Sequence, residues 1–294
     1  MRNRVSERIG LLAVVAGSHL AACSSNSGGT EIAADSGSDG AMASAAGVDG
    51  GSFSFNQCGV AAPLPADTGQ CTAVHAPLIA NFDDYGGAAA NSYTFYVNGK
   101  PPAPDAVLGA VLHVGDGSDM NGGTGIIATQ MVPGEGGAGY ALQISDSNAS
   151  HWGGLLMFYF PSSSASAACL DAHAYAGVEF SLQGTSPSGR VAVTLGMLDT
   201  IQKSDHGLCD NPNASDCKDA TIQLALPSDA TTFAKIQLPW SAFTPGVGSA
   251  LTCVPVTGQN IVRLVIQPLM NYPPPNYMFA PGAYSIAVDG LQFY

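Results

Sequence analysis

Cys23 is the first residue whose surroundings dictate a reaction. Leu20-Ala21-Ala22 stands directly before it, behind an apolar run from Ile9 to Gly17 and three arginines, Arg2, Arg4 and Arg8. A basic start, a short apolar stretch and small residues at a cut site make a secretory signal. The run is too short to span a bilayer, which takes about 20 residues. Small residues directly before a cysteine distinguish a lipoprotein signal: the thiol takes a diacylglycerol, residues 1–22 are cut away, and Cys23 becomes the lipid-bearing first residue. Several acyl chains anchor a protein firmly where one alone does not. Ser24 and Ser25 follow, with no aspartate to favour retention in the inner membrane, so the expected location is the outer membrane. The lipid is then the chain's one attachment to a membrane, because no later apolar stretch is long enough to span.

The other cysteines are Cys58, Cys71, Cys169, Cys209, Cys217 and Cys253. An even number in an exported chain reads as disulfides. Loop length and placement favour Cys58 with Cys71 and Cys209 with Cys217, which leaves Cys169 with Cys253. Zinc would want paired C-x-x-C spacings or a histidine cluster, and only His206 lies near Cys209.

Aromatic side chains offer a second kind of chemistry. Sugar rings present apolar C–H faces that stack on exposed tyrosine or tryptophan, while amides and carboxylates take the hydroxyls. The candidates are Tyr93, Tyr96, Trp152, Tyr272 and Tyr277, the last two flanking Pro273-Pro274-Pro275. A glycosidase needs two carboxyls about a scissile bond. Asp83, Asp84, Asp146, Asp171, Glu179, Asp199 and Asp289 are too many acids to single out a pair. G-x-S-x-G, H-E-x-x-H and P-loop patterns are absent, so the sequence shows no catalytic residues.

These side chains need a scaffold. Residues 23–51 are Ser, Gly, Ala and Asp with almost nothing to fill a core, the composition of a flexible tether. Residues 52–76 read as a disulfide-stapled lead-in and residues 77–294 as one folded domain. Within it, short apolar or alternating runs recur between Gly, Pro, Asn and Asp clusters: PLIANF, SYTFYV, AVLGAVLHV, GIIATQMV, YALQIS, GGLLMFYF, GVEFSLQG, RVAVTLGML, ATIQLAL, FAKIQLP, NIVRLVIQP and YSIAVDGLQFY. In GVEFSLQG, Val178, Phe180 and Leu182 share one face and Glu179, Ser181 and Gln183 the other. In the last run the phase slips at Gly290, which predicts a bulge. No long window has helical periodicity, so the expected class is all-β, a sandwich or jelly roll. A formal charge of −13 repels phosphate backbones and argues against nucleic acid as a partner.

Several local patterns then converge. IANFDD (79–84), HWGGLLMFYF (151–160), DAHAYAGVEFSLQG (171–184), the loop from Cys209 to Cys217, LPWSAF (238–243) and the closing YSIAVDGLQFY resemble, in order and spacing, galactose-binding-like jelly rolls related to family 11 carbohydrate-binding modules, as found in myxobacterial lipoproteins. The resemblance implies a jelly-roll β-sandwich over 77–294 and carbohydrate as the ligand. It also implies a structural calcium between the first and last strands, with Asp83 or Asp84 and Asp289 at the matching positions. The family usually closes with two acids before its final strand residues; here Asp289 is followed by Gly290. The leading expectation is a non-catalytic lipoprotein that binds glycan or polysaccharide at the cell envelope. The alternatives are an envelope module for structure or protein contact without a sugar site, and a divergent glycoside hydrolase or lyase.

Overall fold

The computed structural model describes residues 71–83, 92–100, 102–103, 106–115, 128–149, 153–160, 169–205, 207–211, 216–270 and 282–294. Cys23, Cys58, Asp84, Trp152, Tyr272 and Tyr277 lie outside the described residues, and Tyr93 is described as backbone only.

Two sheets account for most of the described chain. The first has the order β1 (Thr72–Ala73), β8 (Leu170–Asp171), β15 (Ile261–Pro268), β7 (Gly154–Tyr159), β4 (Val107–Gly115) and β3 (Ser92–Val97). On β15 it also carries β10 (Arg190–Met197), and on β10 it carries β11 (Ala220–Ala225). The second has the order β12 (Ala234–Pro239), β9 (Gly177–Thr185), β16 (Gly282–Phe293), β6 (Tyr140–Ala149) and β5 (Ala128–Pro133), with β2 (Leu78–Ala80) on β16. A small hairpin, β13 (Gly246–Val247) with β14 (Cys253–Val254), completes the set. Every pairing is antiparallel except β1 with β8. This is an all-β sandwich of the jelly-roll kind.

The alternation of side chains along each strand builds the core. On β9, Val178, Phe180 and Leu182 point inward and are buried; on β16, Tyr284, Ile286, Val288, Leu291 and Phe293 do the same. From the first sheet come Phe95, Val111, Leu156, Phe158, Leu264 and Ile266, all in the same cluster. The rings meet between the sheets: Phe160 lies 6.5 Å from Phe293 and 6.0 Å, edge-on, from Phe95. Burying one such ring stabilises the fold by about 1.5–3 kcal/mol. Trp240 seals one end against Phe293, and its buried indole N–H donates to the Tyr175 carbonyl at 2.7 Å.

The phase slip in the last strand is a bulge. Gly290 takes φ +57°, a conformation glycine adopts at little cost, and the β16–β9 register jumps between Asp289 and Gln292. Without that extra residue Leu291 and Phe293 would face solvent.

The pairing of Cys58 with Cys71 and of Cys169 with Cys253 is corrected by the structure. Cys71 is bonded to Cys169 across a sequence separation of 98, and Cys209 to Cys217. Cys253 is disulfide-bonded as well, though not to Cys169. The reason is topological. β1 runs parallel to β8 with Thr72 beside Leu170, which sets Cys71 next to Cys169 with their Cα atoms 4.5 Å apart. A preference for short loops cannot foresee a parallel contact between segments so distant in sequence. Thr72 and Ala73, ahead of Pro77, therefore belong to the first sheet. Asn98 holds them there: its Oδ1 accepts from the His75 N–H at 2.7 Å, and its Nδ2 donates to the Ala73 carbonyl at 2.8 Å.

Candidate functional site

The outward faces of the two sheets differ in chemistry. On the second sheet the outward residues are mostly amides, hydroxyls and charges, with Val132, Ala141 and Ala287 among them. Glu179 is buried there among Lys235 (2.9 Å), Gln237 (2.7 Å) and Gln292. Burial would raise its carboxyl, but the hydrogen bonds from Gln237, Lys235 and Gln292 outweigh that and hold it below the usual range. Gln130 and Gln143 pair farther along the same sheet, in the row of Ala287 and Gln183. This face is polar, with Glu179 and Ser181 buried within it.

The first sheet presents something else. Because Phe158 and Leu156 of β7 and Leu264 and Ile266 of β15 face the core, their neighbours Leu155, Met157, Tyr159, Arg263, Val265 and Gln267 face outward. Strand pairing sets these in rows. Ala110, Tyr159, Arg263 and Gly196 form one row across β4, β7, β15 and β10; Leu112, Met157, Val265, Thr194 and Thr221 form the next, with β11 included. Leu112 is exposed, and the Thr194 and Thr221 hydroxyls meet at 3.1 Å.

Arg263 is fixed with care. Its guanidinium donates from Nε (3.1 Å) and Nη2 (2.6 Å) to Asp219 Oδ2, and the Thr200 hydroxyl donates to Asp219 Oδ1 at 2.7 Å. To reach Asp219 the arginine must cross β10, and it does so over Gly196. A Cβ at that position would lie 2.6 Å from Arg263 Cγ and 2.7 Å from Nε. Nε and Nη2 are committed to the aspartate, and among the described residues Nη1 makes no hydrogen bond.

Tyr159 stands directly opposite Arg263 in the pairing of β7 with β15. One side of its ring packs on a ridge made of Cys71, Cys169, Leu198, Ile201 and Val262. Burial raises its phenol above the ordinary tyrosine value; the Arg263 cation opposes this and the Asp205 carboxylate adds to it. A half-buried ring with a protonated hydroxyl, next to a fixed guanidinium and an apolar strip, suits a ligand with apolar faces and hydroxyl edges.

Tyr96 also faces outward on the first sheet, since Phe95 and Val97 on either side of it are buried, and it pairs with Leu108. The sequence reading missed Tyr159, Arg263 and Asp219. One signal was available: Arg263 interrupts an otherwise apolar strand run, NIVRLVIQP, and a charge inside such a run marks its outward face.

Asp83 and Asp289 do come together, at the turn between β5 and β6. Asp83 Oδ1 accepts from the Tyr140 N–H at 2.9 Å and Oδ2 from the Asn81 amide at 3.2 Å; Asp289 Oδ2 accepts from the Glu135 N–H at 2.9 Å. Gly134 and Gly139 allow this approach, for a Cβ there would lie 2.7 Å from Asp289 Oδ2 and 1.9 Å from Asp83 Oδ1. Calcium takes about 6–8 oxygen ligands. Here the oxygens brace a turn, and among the described residues no three His, Cys, Asp or Glu side chains converge. Asp84, the other acid at these positions, lies outside the described residues.

Burial raises the Asp289 carboxyl above the usual carboxylate range, and Asp83 and Glu135 add to the rise against the Glu135 and Gly290 N–H donors. Ionised Asp289 therefore opposes folding at neutral pH, and that opposition fades as pH falls through its folded value. Asp289→Asn, whose carbonyl still accepts from Glu135, should unfold at pH 7 no lower in temperature than wild type, and calcium should shift neither melt. A calcium-dependent rise in wild type that the variant lacks would restore the cation.

No protein-family model matches the chain, and no curated protein does. Among solved structures, it is similar to the family 11 carbohydrate-binding module of the cellulosomal cellulase Lic26A-Cel5E of Clostridium thermocellum, with 11% identity and a TM-score of 0.39 over 74% of this chain and 94% of that one. It is also similar to the surface glycan-binding protein PbSGBP-B from Prevotella bryantii, with 8% identity and a TM-score of 0.31 over 75% and 77%. An exo-beta-agarase is matched at 7% identity and a TM-score of 0.36, over 74% of this chain and 25% of that one.

Proposed function

We propose that the chain is an exported lipoprotein that binds carbohydrate on the outward face of its first sheet. The observation that carries the reading is the Tyr159–Arg263–Asp219 arrangement beside the strip Leu112–Met157–Val265. The ring, Met157 and the exposed Leu112 suit the C–H faces of sugar residues; Arg263, Thr194 and Thr221 supply donors and acceptors for their hydroxyls. Tyr96 extends the face toward β3. Trp152, just ahead of β7 in sequence, and Tyr93, Tyr272 and Tyr277 are proposed as further stacking rings on the grounds given by the sequence.

The lipid anchor on Cys23 and a place in the outer membrane are proposed from the sequence of residues 1–25. The disulfides Cys71–Cys169 and Cys209–Cys217 support an oxidising compartment. A glycan array probed with the purified protein tests the carbohydrate reading. Binding to one class of polysaccharide is expected, and a folded protein that binds none would remove the reading.

A further inference from the structure

We propose that Asp219 determines which polysaccharides the face accepts: by neutralising Arg263 it reserves the site for uncharged, hydroxyl-rich chains and turns away those bearing carboxylate or sulfate. The inference rests on the carbohydrate reading of the face.

The charges near Tyr159 carry it. Arg263 is the cation in the central rows, and it lies against Asp219 at 2.6 Å with both groups largely shielded, the side chains 25% and 11% exposed. A second anion, Asp205, acts on the Tyr159 phenol. Arg190, an outward arginine on the neighbouring strand β10, stands six residues before Gly196, roughly 20 Å along the strand and more than two screening lengths away at physiological salt, each about 8 Å. An incoming carboxylate thus meets a cation already engaged by Asp219, with Asp205 near enough to act on the neighbouring phenol. A neutral hydroxyl meets instead a rigid donor, Nη1, and loses nothing to repulsion.

The same geometry explains why the arginine is held so firmly. Thr200 fixes the aspartate, the aspartate fixes two guanidinium nitrogens, and Gly196 clears the path between them. Thr200 and Gly196 are positioning residues for this pair. Removing the negative charge while keeping the shape, as in Asp219→Asn, leaves Arg263 in place with its charge unanswered. Acidic polymers then gain an attraction that should weaken steeply with salt.

Affinity electrophoresis in gels containing a neutral panel (galactomannan, glucan, xylan) or an acidic panel (polygalacturonate, alginate) tests this with the full-length protein. Wild type is expected to be retarded by a neutral polymer and by no acidic one. Asp219→Asn is expected to gain at least tenfold in affinity for an acidic polymer at low salt, with the gain lost in Asp219→Asn/Arg263→Ala. Asp289→Asn makes the same charge change on the other sheet and should gain nothing. The proposal is overturned if folded Asp219→Asn keeps the wild-type preference, if wild type already prefers an acidic polymer, or if Asp289→Asn shows the same gain. If wild type is retarded by neither panel, the carbohydrate reading itself fails and this inference falls with it.

Discussion

Replacing Cys71 and Cys169 together by serine should lower the unfolding free energy by about 2–5 kcal/mol, the usual cost of losing a native disulfide from an exported domain. The bridge closes a long loop, its cysteines separated by 98 in sequence, and in the chain-entropy view a loop of ~100 residues is worth ~4.7 kcal/mol. The local reason points the same way. β1 is two residues long and makes one parallel pairing, with β8, so the covalent link reinforces a contact otherwise held by two backbone hydrogen bonds, the buried Val74 and Asn98. For a domain of this size the melting temperature should fall by roughly 4–20 °C. The same bridge forms part of the ridge behind Tyr159, so ligand affinity should drop as well. Thermal or urea unfolding of the double variant, followed without reductant, checks the first effect. A melt equal to that of wild type would mean that β1 docks without the bond.

Cys23→Ala should have an all-or-none effect. With no thiol to acylate, labelling by a fatty-acid analogue should vanish and the protein should move from the membrane to the soluble fraction. The signal can then no longer be processed by the lipoprotein route, and no other segment of the sequence is long and apolar enough to take over as an anchor. A variant that still labels and still sediments with membranes would contradict the assignment.

The strands were legible in the sequence because a half-buried strand writes its two faces into alternate positions. Each of the twelve runs singled out there overlaps a strand, from Leu78–Ala80 to Gly282–Phe293, and the slip at Gly290 marks a true register shift. The two-residue strands β1 and β8 were invisible, since a pair of residues carries no period, and with them went the Cys71–Cys169 bond. The face was legible only in part. Tyr96, named from the sequence, stands half-buried on the outward side of the edge strand β3. Tyr159, Asp219 and Arg263 lie on or beside separate strands, and what unites them is the spatial order β7, β15, β10, β11. Nothing local in a sequence states which strands are neighbours. Asp83 and Asp289 show the converse: their approach was expected from position in the fold, but the use of their oxygens by backbone N–H groups depends on a turn conformation that only the structure displays.

Calorimetric titration of Tyr159→Ala, Arg263→Ala and Gln130→Ala against a polysaccharide that wild type binds tests the central claim most directly. An aromatic contact contributes ~0.5–1.5 kcal/mol beyond burial, and about 1.4 kcal/mol is one decade in affinity. Tyr159→Ala and Arg263→Ala should therefore each weaken binding around tenfold, while Gln130→Ala on the other sheet should leave it unchanged. Thermal melts of the same samples, with Tyr159→Phe keeping the ring against its ridge, separate lost contact from lost fold. Wild-type affinity in folded Tyr159→Ala and Arg263→Ala would contradict the placing of the site on the first sheet's outward face.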